Sequence, residues 1–301
     1  MSFDKTTIKF ESGGIDCAAW FYRPQGNGPF PGVAMAHGLG VVKEVDIEPF
    51  AQSFAAAGIA TLLFDYRYWG DSGGEPRCQA IPSAQIEDYR NALTWLSINI
   101  DIDEDRLGVW GTSFSGGLVL ELGAYDGRVK AVVSQVPALD LYTSGRAAMG
   151  AERFAATRKA VAAERKRTYL GSPPTYIALA GVPGGPPAVT TDPKTLAWLE
   201  NAKRTVAPNL RNEITLASLE HIFAYSPGLS IARIAPTPLL MIMGTNDTMV
   251  PPAMTREAFN RAEEPKTLLE IEGDHYLGYS GAAQIAAVKA ATAFLREHLV
   301  P

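Results

Sequence analysis

The segment Arg106–Gly117, Arg-Leu-Gly-Val-Trp-Gly-Thr-Ser-Phe-Ser-Gly-Gly, constrains this chain more than any other. Leu107 to Trp110 is a short, mostly apolar run that leads into a tight turn of small residues. From Gly117 on (Leu118, Val119, Leu120, Leu122) the chain is apolar enough to enter a helix. Strand, sharp turn and helix in that order is the setting of a nucleophile elbow. Such an elbow forces its central residue into a strained backbone conformation and lifts the side chain clear of the sheet. Strand and helix pass close together there, so the positions two before and two after the centre must be small. With Ser113 at the centre those positions are Gly111 and Ser115. A second register centres on Ser115, between Ser113 and Gly117. The spacing from the apolar run favours Ser113. A Gly/Ser-rich turn that only caps a helix has the same composition, so the rest of the chain must carry the case.

The 301 residues, 47% of them hydrophobic and 20% charged, suffice to bury a large core. That length allows one large α/β domain or two small ones. A net charge of −5 and a pI near 5.5 argue against nucleic acid or an anionic membrane as partner. The N-terminal residues Met-Ser-Phe-Asp-Lys-Thr-Thr lack the apolar stretch of a signal peptide. No apolar run reaches the ~18 residues of a membrane span. Cys17 and Cys78 lie too far apart for a metal-type pair and fit a reducing compartment, so a cytoplasmic location is expected. The sequence leaves the oligomeric state open, a homodimer included.

Two strands, Thr6 to Phe10 and Ile15 to Arg23, are expected around a turn at Ser12-Gly13-Gly14. Gly32 to Gly38 is a continuous apolar run, the mark of a strand buried on both faces, and it ends in His37-Gly38-Leu39-Gly40. Val45 to Ala57 has a helical pattern that Gly58 ends. Ile59 to Phe64 is another buried strand, and the Gly-rich loop Tyr68 to Arg77 follows it. Ser83 is placed to cap a helix running to about Ser97. After the elbow and its helix, Val129 to Val136 reads as a strand. Strands that are apolar throughout, alternating with helices, predict a parallel sheet covered on both faces.

That rhythm breaks between Ala138 and Ile234, where no convincing buried strand is found. Ala147 to Tyr169 reads as a helix with a solvated basic face (Arg153, Arg158, Lys159, Arg165, Lys166, Arg167). Two further helical stretches, Pro193 to Val206 and Thr215 to Tyr225, follow a Pro/Gly-rich segment. The region is expected to be a mostly helical insertion at 138–234, with 1–137 and 235–301 forming the core. The sheet pattern resumes at Thr237 to Met243, which ends in Gly244-Thr245-Asn246-Asp247. A helix from Pro251 to Ala262 has proline in its first turn. The strand Lys266 to Ile271 ends in Glu272-Gly273-Asp274-His275, and a closing helix spans Gly281 to Leu299.

Functional groups in an open parallel sheet gather at the carboxyl ends of its strands. Ser113, Asp247 and His275 sit at such ends. A serine hydroxyl is a poor nucleophile until a base takes its proton, and an imidazole does this near neutral pH. A carboxylate on the other ring nitrogen fixes the tautomer and stabilises the imidazolium. Among four histidines, His37 belongs to the His-Gly turn, His221 to the insertion and His298 to the last helix, so His275 is the expected base. Asp140 and Asp274 are rivals for the acid; Asp247 follows a stronger strand, although an Asx turn at Asn246-Asp247 needs no catalysis. Backbone N–H groups must face the developing oxyanion, and Phe114 and Leu39 are the expected donors. Tyr68, Trp69 and Phe114 are near the same edge by sequence, so Tyr68 and Trp69 are expected to wall the substrate pocket. Cys78 is read as a packed thiol.

With these residues in view, the chain resembles the α/β-hydrolase superfamily along nearly its whole length. Ala36-His-Gly-Leu-Gly-Val-Val-Lys-Glu44, Phe64 to Arg77 and Trp110 to Gly117 resemble dienelactone-hydrolase-like enzymes, in a branch with bacterial esterase-like hydrolases and fungal polyketide transferases. The resemblance implies the α/β-hydrolase fold with a cap before the acid-bearing strand, a serine triad, no metal and no organic cofactor. Ser113 departs from the cysteine of dienelactone hydrolases proper. The expected activity is hydrolysis of a small to medium, largely apolar ester, thioester or lactone. The alternatives are transfer of a polyketide-type acyl chain to a non-water acceptor, and a non-catalytic ligand-binding scaffold.

Overall fold

The computed structural model describes residues 1–300. Eight strands form the central sheet: β1 (Phe3–Ser12), β2 (Ile15–Pro24), β3 (Phe30–Ala36), β4 (Ala60–Phe64), β5 (Ile102–Thr112), β6 (Val129–Gln135), β10 (Leu239–Gly244) and β11 (Lys266–Ile271). Their order across the sheet is β1-β2-β4-β3-β5-β6-β10-β11. β2 runs antiparallel to both its neighbours, and every other pairing is parallel. This is the arrangement the α/β-hydrolase resemblance implied.

The apolar strands are buried on both faces because helices cover both. In β3, Val33 and Met35 face one core while Ala34 and Ala36 face the other. The Val33 side is covered by α1 (Glu48–Ala56), through Phe50 and Phe54, and by α9 (Gly281–Leu299), through Ala287, Ala291 and Leu295. The Ala34 side is covered by α2 (Pro82–Ser97), through Ile86, Tyr89 and Leu93, and by α3 (Phe114–Tyr125), through Leu118 and Leu122. α8 (Pro252–Arg261) joins this side through Ala258. Two helix starts differ from the sequence reading. α1 begins at Glu48 rather than Val45, with Pro49 in its first turn, where its missing N–H costs nothing. Pro82 does the same for α2, so Ser83 lies inside that helix and is not its cap.

The stretch between β6 and β10 holds α4 (Leu141–Met149), α5 (Ala151–Tyr169), α6 (Pro193–Thr205), α7 (Ser218–Phe223) and a 3₁₀ turn at Pro227–Arg233. The single helix expected from Ala147 to Tyr169 is broken by Gly150, whose φ of 77° suits glycine. The expectation of no buried strand here was also wrong. β7 (Tyr176–Ala180), β8 (Ala188–Thr190) and β9 (Ile214–Thr215) make a small sheet in the order β8-β7-β9. Runs of two to five residues show no periodicity in sequence, and prolines and glycines surround them.

The elbow glycines are required sterically. A Cβ at Gly111 would run into the Ser115 carbonyl, and one at Gly117 into that of Ala138. Gly111→Ala is therefore expected to destabilise the fold by about 1–3 kcal/mol, since the obstacle is main chain. Urea unfolding measures this; an unchanged midpoint would show that the turn can relax.

Candidate active site

α3 starts at Phe114, so Ser113 is the junction between β5 and that helix. Its φ of 57° and ψ of −115° are sparsely populated for a residue with a side chain, at a cost of about 1–3 kcal/mol. The neighbours impose this conformation. The Ser113 N–H donates to the Gln135 carbonyl at 2.8 Å, and its own carbonyl accepts from Ala138 N at 2.9 Å and Gly117 N at 3.2 Å. The turn is thereby clamped to the exit of β6.

His275 Nε2 lies 2.9 Å from Ser113 Oγ, and His275 Nδ1 lies 2.8 Å from Asp247 Oδ2. Both His275 and Asp247 are buried. The other oxygen of Asp247 accepts the N–H groups of Met249 and Val250, each at 2.8 Å. The Asx turn at Asp247 and its contact with His275 thus use different oxygens of one carboxylate. A carboxylate at Nδ1 favours the tautomer with Nδ1–H, which leaves the Nε2 lone pair to accept from the serine.

The rivals are engaged elsewhere. Ser115 is fully buried; its hydroxyl donates to the His37 carbonyl and meets the Tyr66 hydroxyl. Asp140 caps α4, accepting from Tyr142 N and Thr143 N at 3.1 Å each and from Thr143 Oγ1 at 2.7 Å. Asp274 pairs with Lys194 at 2.7 Å. His221 is exposed, and His298 packs on Phe294 within α9.

The turn after β3 lies against the elbow: a Cβ on Gly38 would stand 3.3 Å from that of Ser113. Leu39 lines the cavity beside Ser113, and Phe114 follows it at the helix start. The turn is held by Ser115, and by His37, which is fully buried with Nδ1 2.9 Å from the Gly38 carbonyl. His37 Nε2 lies 3.6 Å from Asp65 Oδ1 but makes no hydrogen bond. Burial pushes the His37 pKa down to about 4, so at neutral pH this contact is not an ion pair. Lys43 is buried among Asp65, Asp71 and Glu44 at 2.9, 2.6 and 2.6 Å. Burial works against its charge, but these carboxylates outweigh burial and raise its pKa.

A cavity of about 110 Å³ contains Ser113 and His275. Gly38, Leu39 and Val41 form part of its floor; Met249, Tyr276 and Tyr279 form one side; Leu179, Val189, Thr190, Thr195, Trp198 and Leu199 come from the insertion. Tyr68 and Trp69 do not line it, which corrects the sequence expectation. Their loop folds back on itself: Tyr68 N donates to Gly73 O, Cys78 N to Tyr68 O, and Arg77 to the carbonyls of Gly70 and Ser72. Trp69 is buried, donates its indole N–H to the Gln79 carbonyl at 2.8 Å, and borders a separate cavity beside Cys78. Burial pushes the Cys78 thiol up to about 11, as suits an inert packed cysteine. The wall residues missed by sequence carried some signal. Thr195, Trp198 and Leu199 share one face of α6 by spacing, and Tyr276 and Tyr279 closely follow the base.

Residues 13–277 match the Peptidase_S15 family, X-Pro dipeptidyl-peptidase (S15 family). The chain is 32% identical to the quorum-quenching protein AidA of Acinetobacter baumannii, over 98% of this chain and 95% of that one. It is 29% identical to a thiohydrolase of Eupenicillium brefeldianum, over 91% and 87% of the two chains. The crystal structure of the alpha/beta hydrolase GrgF from Penicillium sp. sh18 superposes with a TM-score of 0.87 at 24% identity, covering 99% of this chain and 100% of that one. The fold is therefore that of an α/β hydrolase.

The buried His37 makes stability depend on pH. Unfolded, the ring takes a proton near 6.5; folded, it resists protonation down to about pH 4. The unfolded state binds more protons between these values, so stability is lost as pH falls through that window, by about 3 kcal/mol for this group alone. Urea midpoints from pH 7 to 4 should fall less steeply in His37→Asn than in the unmodified chain; equal slopes would show that His37 does not govern the acid limb.

Proposed function

The chain belongs to the X-Pro dipeptidyl-peptidase (S15) family, and on that footing we propose that it is a serine hydrolase acting through an acyl-enzyme on Ser113. Its substrate is a small to medium, largely apolar ester, thioester or lactone. The observation that carries this reading is the unbroken relay from Ser113 Oγ through His275 to Asp247, at 2.9 and 2.8 Å. The relative named a thiohydrolase supports the thioester option. Cleavage of a free peptide N-terminus is disfavoured by the lining. None of the described residues bordering the reaction cavity is acidic, so a buried α-ammonium group would lack a counter-charge.

In this mechanism His275 accepts the Ser113 proton as Oγ attacks the substrate carbonyl. The N–H groups of Leu39 and Phe114 receive the developing oxyanion; losing one such donor typically raises a barrier by about 3 kcal/mol. The imidazolium passes its proton to the leaving oxygen or sulfur. A water activated by the same ring then releases the acid and restores Ser113. The apolar side chains of Val41, Leu179, Val189 and Leu199 keep bulk water from the acyl-enzyme.

Two measurements test the proposal. A fluorophosphonate should label the protein at Ser113, located by mass spectrometry, and label should be absent from Ser113→Ala with an unchanged circular dichroism spectrum. Label on Ser115 instead would sink the assignment.

Asp247→Asn should slow ester cleavage by on the order of 10⁴. Its single carbonyl oxygen cannot serve both the turn N–H groups and the ring. Asp140→Asn should keep near-normal rates, and the reverse ranking would move the acid to Asp140. Product analysis with competing acyl acceptors shows whether water or another nucleophile discharges the acyl-enzyme.

A further inference from the structure

A second, larger space lies next to the reaction cavity. It is an apolar groove of about 570 Å³ on the inserted segment, between α5 and the ribbon β7–β8. Ile177, Ala188, Thr191 and Leu216 border it, and Ala156 and Ala160 of α5 form the facing wall. The two spaces share a divider. Val189 and Thr190 line the reaction cavity, while Ala188 and Thr191, on either side of them, line the groove. In β7, Leu179 borders the cavity and Ile177, two residues back on the same face of the strand, borders the groove, so the two spaces follow one another along that strand.

The sizes are unequal in an informative way. Ligand pockets usually span about 300–1,000 Å³. At 110 Å³ the reaction cavity falls below that range and has room for a reacting carbonyl and a few carbons. At 570 Å³ the groove falls within it. Ala156 and Ala160 are exposed on an α5 face where small side chains leave the groove open. Arg153 also borders it, but its guanidinium is engaged by the Ala188 carbonyl at 2.7 Å.

We propose that this groove receives the acyl chain of the substrate, making the preferred substrate a medium-chain acyl ester or thioester whose carbonyl alone occupies the small cavity. This rests on the hydrolase reading above and narrows it. The chain passes the β8 divider at Val189 and lies against Ala156 and Ala160. Burial of apolar carbon then favours each added methylene by about fourfold until the groove is filled.

The test uses p-nitrophenyl esters from acetate to dodecanoate, with binding of laurate to Ser113→Ala measured by calorimetry as a readout independent of turnover. The expected result is kcat/KM rising with chain length in the unmodified protein. In Ala160→Trp, which fills the groove from an exposed helix position, the dodecanoate-to-acetate ratio should fall tenfold or more. Laurate binding should weaken by a similar factor in Ser113→Ala/Ala160→Trp. Val189→Ala, which thins the divider, should raise the ratio. Cleavage of short esters with a flat chain-length profile and a ratio unmoved by Ala160→Trp overturns the groove assignment and leaves the hydrolase reading standing. Laurate binding that Ala160→Trp abolishes, in a protein that cleaves no ester, supports the groove and sinks the hydrolase reading.

Discussion

The strained backbone of Ser113 is the constraint on which the site depends. A serine holds φ near 57° only where its surroundings over-determine it. Here both its main-chain groups are tied to the exit of β6, through Gln135 and Ala138. Gly111 and Gly117 let strand, turn and helix approach closely enough for those bonds to form. Ser115, two residues on, does more than remain small. Its hydroxyl holds the His37 carbonyl, so the elbow and the turn bearing Leu39 form one unit. Tyr89 adds a further tie, accepting from Ala36 N at 3.0 Å and donating to the Trp110 carbonyl at 2.8 Å. On the proposed mechanism this matters because a nucleophile and its oxyanion donors must be fixed relative to each other before substrate arrives, or reorganisation during the reaction would cancel the electrostatic gain.

The same turn is secured from below by buried charge. Glu44, Asp65 and Asp71 approach within 4.8 Å of one another, close enough to hold a cation, and the cation present is the Lys43 ammonium. The Lys43 N–H also donates to Asp65 Oδ1 at 2.7 Å, so the pair fixes backbone as well as side chain. Burying such a group is costly unless every partner is present, and loss of one member strands the others. Asp71 extends the group outward, accepting from Asn209 of the inserted segment at 3.1 Å. His37, neutral and buried beside Asp65, keeps additional charge out of this cluster at neutral pH.

What the sequence disclosed follows from how local each signal was. The central strands were legible because burial on both faces makes them apolar without interruption, and Val33 to Ala36 show this directly. That Ser113, Asp247 and His275 meet was legible because each stands just past such a strand, where parallel-sheet topology gathers polar groups. Leu39 and Phe114 could be named by position, since the role proposed for them is main chain. The pocket walls were not legible. Tyr68 and Trp69 are near the site in sequence, but Arg77 gathers their loop around its own carbonyls and turns it elsewhere. Leu179 and Val189 sit on strands of five and three residues, too short to announce themselves. Their role depends on long-range packing over Gly38, Gly40 and Ser113, which no local pattern encodes.

That long-range packing joins the cavity wall to the loop that carries His275. α6 meets the residues on both sides of His275: Lys194 pairs with Asp274, and the Thr195 and Tyr276 hydroxyls bond each other. The Lys194 pair is exposed to water and worth little alone. The stronger attachment is aromatic. Trp198 packs at a tilt against Tyr279 at 4.8 Å and Tyr276 at 5.4 Å, contacts of a kind worth about 0.5–1.5 kcal/mol each, and donates its indole N–H to Asp46 at 3.1 Å. Tyr279 in turn reaches Thr112, the residue before Ser113, at 3.2 Å. The helix that lines the cavity is thus packed onto the loop that carries His275 and, through Tyr279, onto the strand that leads to Ser113. On the proposed mechanism, a displacement of α6 would reach His275 through the same contacts. On that mechanism, selection and proton transfer share one mechanical element, and Trp198 stands where both meet.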